Sequence, residues 1–127
     1  MSVRGIRGAI DVSKDEPEAI LEATRALLEA IQEANPALRS QDLASIIFTV
    51  TSDLTSVYPA QAARQLGWVE VPLLCAQEIP IPDGLPGVVR VLAHWNTELP
   101  QEAIHHVYLG EAAQLRPDLA QNNRSSG

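Results

Sequence analysis

Apolar residues recur along this chain with two different periods, and each change of period marks an element. Small and apolar residues from about Val3 to Ile10 predict a first strand, with Arg7 set inside Gly5-Ile-Arg-Gly-Ala-Ile10. From Pro17 the period lengthens. Ile20, Thr24, Leu27, Leu28 and Ile31 fall on one face of a helix, while Glu18, Glu22, Arg25, Glu29 and Gln32 face away. Pro17 suits the first turn, Ser13 or Asp15 is placed to cap it, and Asn35-Pro36 ends it. The β-branched run from Ser45 to Thr51 predicts a second strand, followed by a loop to Thr55. Pro59 to Leu66 reads as a short helix stopped by Gly67. Val69 to Ile79 reads as a third extended segment broken at Pro72. Residues 80–87 hold too many Pro and Gly for regular structure, so they join it to the strand that contains Val88-Val-Arg-Val-Leu-Ala93. His105 to Leu109 predicts a last strand, and Glu111 to Leu115 a short turn. Alternating helix and strand signals specify a mixed α/β fold, an α+β arrangement around a mixed sheet. The pattern predicts one domain over residues 1–120 and a disordered tail over the polar stretch 121–127.

Within that pattern Arg7 and Arg90 occupy positions where a guanidinium is seldom buried unpaired. Glu78, at the end of Val71-Pro-Leu-Leu-Cys-Ala-Gln-Glu78, is the one acid in a comparable setting. Two embedded cations against one anion leave positive charge over, which a bound carboxylate or phosphate would balance. The bland alternative is an internal salt-bridge network.

Composition narrows the choice. The chain has 127 residues and a net charge of −7, which speaks against nucleic acid but not against a small anion held by a local cluster. Eight of the nine cations are Arg, whose fork matches carboxylates. The single cysteine, Cys75, excludes an internal disulfide and fits a reducing, cytoplasmic setting. No stretch approaches the ~18 apolar residues of a membrane span.

Other chemistry is less well supported. Cys75 lies in an apolar strand with no local nucleophile signature, so it reads as a small buried hydrophobe. His105 and His106 are neighbours and would point to opposite faces of a strand, so they cannot share a metal ion. Gly5-Ile-Arg-Gly8 and Gly84-Leu-Pro-Gly87 lack nucleotide-loop spacing and read as close backbone packing and a turn. By default Arg64 is a solvated helix charge, Arg116 a surface residue, and Tyr58 and Tyr108 core aromatics.

Five segments in register resemble one family: RGIRGA (4–9), DLTSVYPAQAAR (53–64), VPLLCAQE (71–78), GVVRVLAHWNT (87–97) and HVYLGEAAQLRPDL (106–119). They are similar to the monofunctional chorismate mutases of the trimeric pseudo-α/β-barrel class. That resemblance implies a homotrimer with sites in the clefts between subunits, no cofactor, and the rearrangement of chorismate to prephenate for phenylalanine and tyrosine biosynthesis. It further implies that Arg90 meets the ether oxygen and a carboxylate, and that Arg7 and Tyr108 bind a carboxylate. Glu78 and the thiol or backbone of Cys75 would meet the ring hydroxyl, with Leu74, Cys75, Ala76, Gln77 and Glu78 as one wall. Tyr58 and Arg64 would line the cleft, and Leu115 and Arg116 would belong to a mobile segment over it. Gln61 stands where some members carry lysine, and Tyr58 where phenylalanine is usual.

A pericyclic reaction of this kind needs no nucleophile, metal or redox group. Two other readings compete. A non-catalytic trimeric module for a carboxylated metabolite would keep Arg7 and Arg64 but would not need Arg90 opposite Glu78. A trimeric imine or enamine hydrolase would need a positioned water and carboxylate.

Overall fold

The apolar positions resolve into five strands and two helices over residues 2–115, the part of the chain that the computed structural model describes. In order these are β1 (Ser2–Asp11), α1 (Pro17–Ala34), β2 (Leu43–Val50), α2 (Ala60–Gln65), β3 (Leu73–Gln77), β4 (Val88–Thr97) and β5 (Val107–Leu109). Short 3-10 turns occupy Ser40–Asp42, Gln101–Ala103 and Gly110–Gln114. The strands form one mixed sheet in the order β3-β2-β4-β1-β5. β4 runs antiparallel to both neighbours, whereas β3 is parallel to β2 and β5 parallel to β1.

One face of the sheet packs on the helices. Ile6, Phe48, Ile46, Val89, Val91 and Trp95 are buried there with Ile20, Leu27, Leu28 and Ile31 of α1. Each such side chain contributes about 1.5–3 kcal/mol on leaving water. Gly8 sets the approach of α1. A Cβ at that position would lie 3.0 Å from the Val107 carbonyl and 3.1–3.2 Å from the Ile31 and Leu27 methyls. The opposite face is mostly open, with Leu74 61% exposed and Leu92 36% exposed. At one end a small cluster of Ala9, Val88, Tyr108 and Ala112 covers it, with Leu85 and Leu115 packed alongside.

This two-faced sheet corrects the reading of the arginines as embedded. β4 alternates: Val89, Val91, Ala93 and Trp95 are buried, while Arg90, Leu92 and His94 lie on the other side. An unbroken apolar run thus serves a strand with one uncovered face, on which Arg90 is only half-buried.

Other departures have local causes. Neither Ser13 nor Asp15 caps α1; the cap position is Glu16, with no side-chain bond, and Pro17 starts the helix. The Asp15 carboxylate instead accepts from the Thr55 N–H (2.9 Å) and hydroxyl (2.8 Å) and the Ser56 N–H (3.1 Å). Arg25 does not simply face solvent: its guanidinium reaches across to the Gln65 side chain on α2. Within the third extended segment the strand covers only Leu73–Gln77; Pro72 has no N–H to give, and Val71 before it is buried in the core. The last strand is likewise shorter. The Asn35 side chain holds the backbone of His105 through two bonds of 2.9 Å, and this takes His105 out of the ladder.

The loop that follows β2 carries a pH-sensitive fastening. The Asp53 carboxyl is held below its ordinary value of 3.8 by the Thr51 hydroxyl first, against some burial, and then by the Gly87 N–H. Asp15 is lowered similarly, chiefly by the Thr55 N–H. A carboxylate whose folded pKa is depressed stabilises the fold above its unfolded value and loses that contribution as pH falls through the folded one. Asp53→Asn is therefore expected to flatten the fall in Tm between about pH 5 and 2 relative to the parent. Parallel curves in thermal unfolding would exclude the role.

Candidate active site

The open sheet face gathers the charged residues that the sequence singles out. Register dictates which side chains meet. Ala9 lies opposite Arg90 and Arg7 opposite Leu92 in the β1–β4 pair, while Thr49 lies opposite Arg90 and Ile47 opposite Leu92 in the β2–β4 pair. In β3, Leu74 and Ala76 stand beside Ile47 and Thr49. One step further on that side comes Glu78, whose N–H donates to the Val50 carbonyl at 2.8 Å.

Arg7, Thr49, Glu78, Arg90 and Tyr108 thereby line one cavity of about 450 Å³, floored by Ile47, Val91 and Leu92. Glu78 and Arg90 also form a wall of a neighbouring cavity of about 430 Å³ under the 79–86 loop. Arg90 Nε and Glu78 Oε2 are ion-paired, with 35% and 27% of their side chains exposed. Both atoms are buried, and their approach does not have hydrogen-bond alignment. Arg7 forms no ion pair with a described carboxylate, so this face does retain a cation without a fixed counter-charge. The internal salt-bridge network accounts for Arg90 but not for Arg7.

Each wall has a support. The Arg7 N–H donates to His106 Nδ1 at 3.0 Å, which requires the tautomer with its proton on Nε2. The entry to β4 is tied to the 51–53 loop: the Val88 N–H donates to Thr51 Oγ1 (3.0 Å) and the Gly87 N–H to Asp53 (3.2 Å). Gly110, at φ +59°, lets the chain turn against Asp11, whose carboxylate accepts the Glu111 N–H at 2.9 Å. A side chain at 110 would run into that carboxylate. This seats the turn that carries Leu115 next to Tyr108.

The other expected residues lie elsewhere on the chain. Tyr58, Cys75, Ala76 and Gln77 line a separate cavity of about 550 Å³ that shares no residue with the other two. Tyr58 is 73% exposed, so it is not a core aromatic; it projects from the bend ahead of α2. Arg64 is exposed on α2, and Leu74 is exposed near the edge of the open face. Cys75 stands opposite Phe48 and so faces the helices, away from Arg90. Burial pushes its thiol up, opposed more weakly by a backbone hydrogen bond at Ala60 and the Arg64 charge, which is the opposite of nucleophile activation. Arg116 and the 121–127 stretch lie outside the described residues. Among the described residues no three His, Cys, Asp or Glu side chains converge as a metal-binding group. Sequence reasoning missed Thr49 and Ile47, whose only signal is their alternation with Ile46 and Phe48.

Comparison with known proteins adds an independent line. The sequence model of the family described as chorismate mutase type I matches residues 3–119. A chorismate mutase AroH of Thermus thermophilus is 61% identical over 117 residues, covering 92% of this chain and 96% of the relative. The chorismate mutase AroH of Bacillus subtilis is 44% identical over 121 residues, with 94% of each covered. A solved chorismate mutase from Clostridium thermocellum superposes with a TM-score of 0.84 at 43% identity, covering 87% of this chain and 97% of that one.

Proposed function

The chain belongs to the chorismate mutase type I family, and from that premise we propose how its charged cleft works. The enzyme is an isomerase that rearranges chorismate to prephenate, a step toward the aromatic amino acids. Its dianionic substrate is bound in a compact, chair-like form by guanidinium groups; positioning of this kind supplies several kcal/mol. Negative charge grows on the ether oxygen as the C–O bond breaks. Arg90, fixed on a central strand, donates to that oxygen and so binds the transition state more tightly than the ground state. Glu78 faces the electron-poor ring side. Arg7 and Tyr108 hold a carboxylate. The observation that carries this reading is the juxtaposition of Arg90 with Glu78 beside the uncompensated Arg7. A module built only to hold a carboxylated metabolite has no use for an acid there.

The working assembly is a homotrimer with sites between subunits. Two features support it. The sheet leaves Leu74 and Leu92 exposed on the face that carries the site. Tyr58, Arg64 and the Cys75 side of β3 lie away from Arg7, Arg90 and Tyr108 on one chain, so a neighbour's copies of them would complete the cleft. In that assembly Leu115, packed beside Tyr108, lies at the rim of the opening. No described helix is long and apolar enough to cross a membrane. The free Cys75 favours a reducing compartment such as the cytoplasm.

The test incubates the purified protein with chorismate, follows loss of the diene absorbance, and identifies prephenate. Light scattering in the same buffer is expected to give the mass of three chains. Binding without turnover would overturn the catalytic reading, and an active monomer would overturn the shared-site one.

A further inference from the structure

We infer that Thr49 is a positioning residue whose hydroxyl takes over as the partner of Glu78 when Arg90 turns from that carboxylate to the bound substrate. The inference rests on the cleft described above as the site of rearrangement.

Among the described residues, three side-chain atoms are buried without a hydrogen-bond partner: Thr49 Oγ1, Glu78 Oε2 and Arg90 Nε. All three belong to residues that line the same cavity. The contrast with Thr24, the fully buried threonine of α1, is direct. Its hydroxyl donates to the Ile20 carbonyl at 2.7 Å and so needs nothing further. Leaving a buried hydroxyl unmatched is costly, and a valine of the same shape would suit a strand equally well. The fold therefore does not explain the oxygen at position 49.

Placement explains it. Thr49 lies directly opposite Arg90 on β4, and beside Ala76 on β3, two residues before Glu78 on the same side. Its side chain thus lies on the same face as the ion pair and lines the same cavity. A hydroxyl carries one rotatable donor and two acceptor sites, so it accepts from a guanidinium or donates to a carboxylate as its neighbours move. Arg90 cannot keep its ion-paired Nε on Glu78 and give it to a substrate oxygen as well. When it turns, Glu78 loses its charged partner inside a partly desolvated cleft; the substrate's ring hydroxyl has one proton to give and can serve only one of the two carboxylate oxygens. Of the other groups at this cavity, Arg7 and Tyr108 are engaged by a substrate carboxylate in the reading above. Thr49 is the donor left to hold the acid in place.

Steady-state kinetics of Thr49→Val and Thr49→Ser test this. Thr49→Val is expected to lower kcat about tenfold or more, the scale of a hydrogen bond to a charged group, with KM changed by less than about twofold. Affinity for a bicyclic dicarboxylate transition-state analogue should fall by the same factor as kcat. Thr49→Ser should restore kcat to within about threefold of the parent, since it returns the hydroxyl without the methyl. A Thr49→Val enzyme with parental kcat would overturn the inference, as would a Ser variant no better than the Val variant. Chorismate turnover by the parent and its loss in Arg90→Ala report separately on the underlying reading. A normal Thr49→Val on an active parent removes this inference alone.

Discussion

Replacing Arg90 with alanine should lower kcat by roughly 10²–10³-fold, the cost of removing one preorganised donor from a developing oxyanion, about 3–4 kcal/mol. Two further terms act in the same direction. Glu78 keeps only 27% of its side chain exposed and would lose its ion-pair partner, leaving a carboxylate beside the site of a dianion. The cleft would also retain Arg7 as its sole strand-borne cation among the described residues. Arg90→Lys should recover part of the loss, because it returns charge without the planar fork that can serve the ether oxygen and a carboxylate together. Stability should fall less than on truncating a core side chain, since the pair is about a third exposed and solvent relieves part of the penalty on the Glu78 carboxylate. The measurements are kcat, KM and Tm for the parent and both variants. Near-parental kcat in Arg90→Ala would remove the electrostatic account of catalysis.

Much of this site was legible before any coordinates because its residues break a rule. A guanidinium in Val88-Val-Arg-Val-Leu-Ala93 conflicts with its apolar neighbours, and such conflicts concentrate at functional positions. The α1 stripe was equally plain, since five apolar or small residues at helical spacing leave no competing assignment. What the pattern withheld was the environment of each face. Period-two alternation identifies the two sides of β4 but does not say that one of them lacks a cover within the chain, so Arg90 read as embedded when it is half-buried. Val69 and Val71 have the composition of a strand yet precede the point where β2 offers a partner. His105 sits in strand-like sequence but is captured by Asn35, a contact across 70 positions. Thr49 is invisible in the sequence for the same reason: only the β2–β4 register brings an ordinary strand threonine into the cavity of Arg90 and Glu78.

That register makes neighbouring residues of β2 into opposite tests, and Phe48 gives the largest expected effect on stability. Phe48 is fully buried on the helix-facing side, opposite Val91 in β4 and Cys75 in β3. Truncating a buried phenylalanine to alanine costs about 3–5 kcal/mol, the lost transfer energy plus the cavity left when a sheet-and-helix core cannot collapse around it. For a domain of this size that is a fall in Tm of roughly 10 °C or more. Assembly contributes to apparent stability by mass action, so parent and variant should be unfolded at one fixed protomer concentration. The folded fraction of Phe48→Ala at low temperature should keep a kcat within about threefold of the parent, because the lost ring lies on the face away from Arg90 and Glu78. Thr49→Val, one residue along, should do the reverse: parental Tm and a reduced kcat. If Phe48→Ala unfolded at the parental temperature, the helix-facing side of the sheet would not be the core. The assignment of Thr49 and Arg90 to the catalytic side, which follows from the same alternation, would fall with it.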